Sequence, residues 1–120
     1  MKKILICDDD EVSKSLLCFR ISGEKLGDVT TASDGREAMS LLSSESFDLV
    51  ITDLHMPFHS GIEITAYIRG TLKKDIPIII LSAEGLESAV LEAFDRGADD
   101  YVTKPFNPSE LLSKIKTLLK

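Results

Sequence analysis

Short apolar runs alternate with longer amphipathic segments along the whole chain, and this alternation predicts five strands and five helices. The run Ile76–Leu81 is the strongest strand signal, and Lys3–Cys7 is typical of a strand that is buried on both faces. Strands that alternate with helices indicate a parallel sheet with helices on both faces, because the crossovers are right-handed. The predicted strands are Lys3–Cys7, Asp28–Ala32, Phe47–Thr52, Ile76–Leu81 and Asp100–Thr103.

Capping signals mark the starts of several helices. Asp34 is followed three residues later by Glu37, and Ser60 by Glu63, which is the capping-box spacing. The segment 107–110 places Asn at the cap, Pro at the first position and Glu at the third. The apolar positions expected to face the core are, helix by helix, Val12, Leu16, Phe19 and Leu26; Ala38, Leu41 and Leu42; Ile64, Tyr67, Ile68 and Leu72; Leu86, Val90, Ala93 and Phe94; and Leu111, Leu112, Ile115, Leu118 and Leu119.

The predicted elements fill the chain as a single (βα)₅ domain of the α/β class, residues 1–120. The first helix is expected from Glu11 to about Leu26, and the last is expected to run to Lys120, which leaves no output domain within this chain. With 43% hydrophobic and 28% charged residues, the chain is typical of a globular domain rather than a disordered one.

Charge and hydropathy narrow the function classes. A net charge of -6 argues against direct binding to nucleic acid, which needs a basic face. No apolar stretch approaches the roughly 20 residues that span a bilayer. The apolar run after Met1 is also too short for a secretory signal and ends at Asp8. We therefore expect a cytoplasmic protein without membrane association.

Side chains with a carboxylate, a hydroxyl or an ammonium group follow four of the five predicted strands. Asp8, Asp9 and Asp10 follow the first strand, and Asp53, Ser82 and Lys104 follow the third, fourth and fifth. In open α/β sheets, ligands bind beyond the carboxyl ends of the strands, so we expect these side chains to share one edge. A solvated loop explains any one of them, but not the coincidence at four strand ends.

This set of side chains suits phosphoryl transfer. Crowded carboxylates repel unless a cation lies between them, and a site with oxygen ligands alone favours a hard ion such as Mg²⁺. The carboxylate of Asp53 can act as the nucleophile, because carboxylates form aspartyl-phosphates in other proteins. Lys104 and the hydroxyl of Ser82 can gather the phosphoryl oxygens together with the metal.

Taken together, the strand-end segments resemble those of a response-regulator receiver domain of two-component signalling, similar to CheY. The segments that carry the resemblance are Cys7-Asp8-Asp9, Thr52-Asp53-Leu54-His55-Met56-Pro57, Leu81-Ser82-Ala83 and Tyr101-Val102-Thr103-Lys104-Pro105-Phe106. They occur in order over the whole chain. The resemblance implies that Mg²⁺ is held by Asp8, Asp9, Asp53 and the backbone carbonyl of His55. It also implies that Asp53 accepts the phosphoryl group and that Ser82 and Lys104 contact that group. Tyr101 would be the aromatic switch residue.

The resemblance also carries expectations about fold and partners. It implies the flavodoxin-like strand order 2-1-3-4-5 and a cis bond between Lys104 and Pro105. A histidine kinase or a histidine phosphotransfer protein would donate the phosphoryl group, and a downstream protein or output domain would recognise the face formed by the fourth helix, fifth strand and fifth helix. The chain would then catalyse only its own phosphorylation and dephosphorylation.

Two departures and two alternatives stand beside this reading. Ser60 precedes Gly61 where the family usually has Asp or Asn, and His55 occupies a variable position that flanks the pocket; His59 is expected to be an exposed loop residue. One alternative is a haloacid-dehalogenase-like phosphatase with its nucleophile at Asp8, because the segment 8–12 resembles the D-x-D-x-V motif of that family. In that family the lysine precedes the acidic pair, whereas here Lys104 follows Asp99 and Asp100. The other is a receiver-like docking module that takes no phosphate.

Overall fold

Five parallel strands form one sheet in the order β2-β1-β3-β4-β5. The computed structural model describes residues 1–83 and 85–119. The strands are β1 (Lys3–Cys7), β2 (Asp28–Ala32), β3 (Leu49–Asp53), β4 (Ile78–Ala83) and β5 (Asp100–Lys104). The helices are α1 (Glu11–Gly23), α2 (Gly35–Ser44), α3 (Gly61–Ala66), which continues into a π-helical turn (Tyr67–Thr71), α4 (Glu87–Asp95) and α5 (Pro108–Leu118). The predicted (βα)₅ class and strand order are confirmed.

The central strands begin and end later than the apolar pattern predicts. β3 was expected from Phe47 and begins at Leu49, and β4 was expected from Ile76 and begins at Ile78. Pro77 has no amide hydrogen to donate to a ladder, although its carbonyl accepts from the amide of Val50. The pairing of β3 with β4 therefore begins at Ile78, which lies opposite Val50. The bounds therefore follow from pairing between strands rather than from apolar character. Lys120, to which the last helix was expected to run, lies outside the described residues.

The helices cover the sheet in two layers, each with its own apolar core. α1 and α5 pack on one face through Leu17, Ile21, Leu111 and Ile115. The second core, on the opposite face, contains residues of α2, α3 and α4, among them Ala38, Leu42, Ile64 and Ala93. Both sheet faces are covered, which explains the unbroken apolar sequence of β1 and β4. None of the described helices is long and apolar enough to cross a bilayer.

The predicted buried face of α1 is wrong. Val12 and Phe19 are 77% and 74% exposed, and Leu16 is also exposed. The helix instead buries Leu17 and Ile21 against α5, and it ends at Gly23 rather than near Leu26. α1 carries apolar residues on two sides, so helical periodicity alone does not say which side meets the sheet.

Capping explains where three of the helices start. Ser60 and Glu63 form a full capping box at α3, as predicted. Asp34 caps α2 by accepting from the amide of Glu37, but the side chain of Glu37 accepts from the amide of Ser33, so the box at α2 is incomplete. At α5, the side chain of Asn107 accepts from two amides of the first turn, as expected for a strong N-cap.

Candidate phosphoryl-transfer site

The acidic pocket, which we define as Asp8, Asp9, Asp53 and Lys104, lies at the carboxyl edge of the sheet. Asp8 directly follows β1, and Asp53 and Lys104 are the last residues of β3 and β5. β1 and β3 are neighbours in the sheet, with Cys7 paired to Thr52, so the next residue on each strand delivers a carboxylate to the same place. Parallel strands thus bring together residues that lie far apart in the chain.

The ammonium group of Lys104 bridges the two innermost carboxylates. Its Nζ lies 2.8 Å from Oδ2 of Asp8 and 2.8 Å from Oδ2 of Asp53. Asp8 is fully buried, and Asp53 and Lys104 are largely shielded from solvent. Charge-assisted hydrogen bonds of this length hold all three side chains in one arrangement.

Burial and charge act against each other on the pKa values of the pocket. Burial raises the pKa of Asp53 above its ordinary value, the contact with Lys104 lowers it, and the neighbouring charge of Asp8 raises it again. For Lys104, burial lowers the pKa, but the hydrogen bonds to Asp53 and Asp8 outweigh burial, and the pKa lies above its usual value. The ion pairs therefore keep the ammonium group charged.

The carboxylates of Asp8, Asp9 and Asp53 also fit a divalent cation. One oxygen from each of the three lies within 4.8 Å of the others. Among the residues that the structure describes, this cluster offers carboxylate oxygens alone, which suit a hard ion that keeps several waters, as Mg²⁺ does. The position that Lys104 takes between two of these carboxylates shows that the pocket accommodates a positive charge.

The loop between β3 and α3, residues 54–60, forms one wall of the pocket. The amide of His55 donates to Oδ1 of Asp53 at 3.2 Å, and the amide of Gly61 donates to the carbonyl of Leu54 at 2.9 Å. A Cβ at Gly61 would lie 2.5 Å from the carbonyl oxygen of Asp53, so only glycine allows this close return of the chain. The loop is thereby anchored at both ends beside Asp53.

Ser82 and Tyr101 line a second feature, the α4–β5 cavity, which we define as the space of about 680 Å³ between α4 and β5. Ser82 is buried near the end of β4, whereas the ring of Tyr101 is partly exposed and packs edge-to-face on Phe94 with centroids 6.0 Å apart. The other cavity residues are Ala83, Gly85, Leu86, Glu87, Val90, Leu91 and Thr103. A cavity that opens to solvent therefore adjoins both predicted switch residues.

The structure brings four of the predicted site residues together, namely Asp8, Asp9, Asp53 and Lys104, and the predicted cis bond between Lys104 and Pro105 is confirmed. Asp10 does not join them, because its carboxylate caps α1.

The stacking of Arg36 on Phe58, beside the site, was not predicted from the sequence. The sequence contains no signal for it, since it depends on how the loop after β3 meets α2.

Comparisons with known proteins agree with this geometry. The family model described as "Response regulator receiver domain" matches residues 4–116. The chain is 40% identical over 120 residues to the alkaline phosphatase synthesis transcriptional regulatory protein PhoP of Bacillus subtilis, covering 99% of this chain and 49% of PhoP. It is 38% identical over 118 residues to the transcriptional regulatory protein ResD of the same organism, covering 98% of this chain and 48% of ResD. The chain thus spans about half the length of the curated relatives it matches.

Solved structures with the same fold include the chemotaxis response regulator CheY4 of Vibrio cholerae. That structure matches with a TM-score of 0.89 at 32% identity and covers 99% of each chain. A putative response regulator from Chloroflexus aurantiacus matches with a TM-score of 0.91 at 34% identity, covering 98% of this chain and 97% of that one. The match of the family model, the sequence relatives and the shared fold lead to one conclusion: this chain belongs to the response-regulator receiver domain family and serves in phosphorylation-based two-component signalling.

Proposed function

We propose that the carboxylate of Asp53 accepts a phosphoryl group in an Mg²⁺-dependent reaction, and that residues 1–120 act as one receiver domain. One observation carries this proposal. Lys104 holds the carboxylates of Asp53 and Asp8 side by side at the sheet edge, and an oxygen of Asp9 lies close to both. A nucleophile, a permanent cation and an oxygen-rich metal site therefore share one pocket.

The reaction follows from the placement of these groups. A carboxylate oxygen of Asp53 attacks the phosphorus of the donor, the bond from phosphorus to the donor breaks, and the leaving group departs with that electron pair. Hydrolysis ends the signal. Water attacks the phosphorus of the aspartyl-phosphate, the bond from phosphorus to the Asp53 oxygen breaks, inorganic phosphate leaves and the carboxylate of Asp53 is regenerated. The chain catalyses no other reaction under this proposal.

Asp8, Asp9, Asp53 and the backbone carbonyl of His55 would hold the Mg²⁺ ion. When bound, the ion neutralises the negative charge of the carboxylates and the phosphoryl oxygens. Lys104 already lies 2.8 Å from Asp53, so its ammonium group is placed to pair with a phosphoryl oxygen after releasing Asp8. The hydroxyl of Ser82 would donate to another of these oxygens.

The switch uses the α4–β5 cavity. Movement of Ser82 toward the phosphoryl group would enlarge the space beside Tyr101, whose ring is partly exposed and would turn inward. Phosphorylation would then favour one of two packings of α4, β5 and α5 over the other, which is a population shift. The face that a downstream partner recognises would then change shape, and Lys104 at the end of β5 is the residue of these elements placed to contact the phosphoryl group.

The partners follow from the family and from the relatives. A histidine kinase or a histidine phosphotransfer protein would supply the phosphoryl group. PhoP and ResD are transcriptional regulatory proteins of about twice this length. We infer that this receiver likewise controls an output domain or a separate protein, without binding nucleic acid itself. A cytoplasmic location stays a prediction.

Labelling with acetyl phosphate tests the proposal. The wild-type chain should gain one phosphoryl group in Mg²⁺ and none in excess chelator. Asp53→Asn should not be labelled, because an amide is a poor nucleophile. Borohydride trapping followed by mass spectrometry should mark Asp53. Efficient labelling in chelator would refute the metal requirement, and a mark on Asp8 would favour the phosphatase alternative.

A further inference from the structure

The loop of residues 54–60 contains a strained residue that the phosphoryl chemistry does not explain. Phe58 has a φ of +73°, a conformation that residues other than glycine rarely adopt. The amide of His59 donates to the carbonyl of Pro57 at 2.9 Å across it. A hydrogen bond that spans a single residue with positive φ makes a rare and strained γ-turn. Such strain persists only where surrounding contacts hold it.

The ring of Phe58 is held by an arginine rather than by burial. Phe58 is 61% exposed, and Cζ of Arg36 lies 3.7 Å from the centre of its ring. At this distance the guanidinium group stacks on the aromatic face, where the ring quadrupole attracts a cation. Arg36 belongs to the first turn of α2, so the contact joins this helix to the loop that follows Asp53.

Backbone contacts join the same two segments. The amide of Gly35 donates to the carbonyl of Pro57 at 3.0 Å. A Cβ at Gly35 would collide with the backbone of His59, so α2 and the loop approach as closely as a glycine permits. The side-chain stack and the backbone contact therefore act at the same turn.

The other end of the loop contacts the proposed phosphoacceptor. The amide of His55 donates to Oδ1 of Asp53, and the next turn of chain returns through Gly61 to Leu54. Phe58 lies three residues after His55 in a loop whose two ends are held in this way, so few rotatable bonds separate the strained turn from the His55 backbone.

We propose that Arg36 and Phe58 form a positioning pair that holds this loop in the conformation needed for Mg²⁺ binding. The proposal rests on the proposed function, since it assigns the metal to the pocket beside Asp53. Neither residue is among the proposed ligands of the ion. Their contribution is to keep the His55 backbone in place while the Phe58 backbone remains strained.

The substitution Phe58→Gly separates the effect of backbone strain from the effect of ring stacking. Glycine adopts a positive φ without steric cost, so Phe58→Gly relieves the backbone while removing the ring from Arg36. If strain alone mattered, this variant would bind Mg²⁺ as well as the wild type or better. If the stack holds the loop, the variant binds more weakly despite its relaxed backbone.

The test compares Phe58→Gly, Arg36→Ala and the double variant, with Phe58→Tyr as the variant that keeps the stack. Phe19→Ala and Arg20→Ala are matched controls, because they remove an exposed aromatic ring and an exposed arginine from α1.

Two readouts are taken by NMR. In metal-free protein, amide exchange at Gly35 and His59 should accelerate in the Phe58→Gly and Arg36→Ala variants. In Mg²⁺ titrations, the dissociation constant should rise about two- to fivefold, the size expected of an exposed cation–π contact. The double variant should lose no more than the larger single loss, and the controls and Phe58→Tyr should match the wild type.

Unchanged Mg²⁺ affinity and unchanged exchange in Phe58→Gly would overturn the positioning pair, as would equal losses in the α1 controls. A wild-type chain that binds no Mg²⁺ would instead refute the proposed function and the metal part of this inference. The metal-free exchange data separate the two failures, since faster exchange in the variants would still support the pair as the element that holds the loop.

Discussion

The acidic pocket and the α4–β5 cavity lie at the same end of the sheet but are built in opposite ways. In the pocket, the ammonium group of Lys104 contacts Asp8 and Asp53 at 2.8 Å each, and Asp8 has no exposed surface. In the cavity, Ser82 and Tyr101 adjoin about 680 Å³ of unfilled space. Phosphoryl transfer requires groups held in place before the reaction, whereas a switch requires room for a second packing.

Charge explains the difference between the two regions. A buried carboxylate without a partner is far more costly than an apolar gap, so the pocket closes around its ion pairs. The α4–β5 cavity opens to solvent, and its walls include the apolar side chains of Leu86, Val90 and Phe94, which forgo some packing contacts there but bury no unpaired charge. The cavity therefore remains open at modest cost, and its packing is easier to change.

Removal of the cation should disturb the pocket most. In Lys104→Met, the carboxylates of Asp8 and Asp53 face each other without compensation. We expect the free energy of unfolding to fall by about 2 kcal/mol in chelator, less than for a fully buried pair because Lys104 is partly exposed. Added Mg²⁺ should restore much of the loss, since it binds the folded state only. Urea unfolding with and without Mg²⁺ measures both effects.

Lys114→Met is the matched control for that experiment, because Lys114 pairs with Asp100 at 2.8 Å in a more exposed setting. It should lose at most about 1 kcal/mol and show no recovery in Mg²⁺. Equal losses in the two variants would contradict the view that the pocket depends on its cation.

Removal of the Ser82 hydroxyl should uncouple the cavity from the pocket. Ser82→Ala should still be phosphorylated, but the switched packing should be favoured about ten- to a hundredfold less, because a hydrogen bond to a charged group is lost. The measurement compares chemical-shift changes at Tyr101 and along α4, with both proteins saturated with beryllofluoride and Mg²⁺. Full wild-type changes in the alanine variant would show that Ser82 does not link the two regions.

The same added methylene should have different effects in open and filled space. Val90→Leu adds volume beside the cavity and should change the free energy of unfolding by less than about 1 kcal/mol. Val50→Leu adds it to a fully buried position of β3 and should cost about 1–3 kcal/mol. Thermal or urea unfolding of both variants measures the contrast, and a loss in Val90→Leu as large as that in Val50→Leu would indicate that the cavity is not available space.

α1 and α5, which cover the same face of the sheet, show what a helical sequence pattern can and cannot predict. α5 has a strong cap at Asn107 and buries Leu111 and Ile115, as its pattern predicts. α1 has apolar residues on two sides, and Phe19 faces solvent while Leu17 is buried in the core on this face of the sheet. The buried side of a helix with one apolar stripe can be predicted from its sequence, whereas the buried side of a helix with two apolar stripes depends on its packing partners.

The features of the site also divide into those predicted from the sequence and those seen only in the structure. The residues at the strand ends, Asp8, Asp53 and Lys104, were found from the sequence because parallel strands share one carboxyl edge. The bridging of two carboxylates by Lys104, the open space beside Tyr101 and the stacking of Arg36 on Phe58 were not found. Each joins segments that only the folded chain brings into contact.

The sequence by itself determined the order of strands and helices, the capped starts of α3 and α5, and the chemistry present at the sheet edge, because these follow from local periodicity and from residues at strand ends. Tertiary structure alone decided the bounds of β3 and β4, the buried side of α1 and the positive φ of Phe58. The physical reason is that ladder pairing, packing and backbone strain are settled by contacts between segments distant in the chain, for which a linear pattern carries no signal.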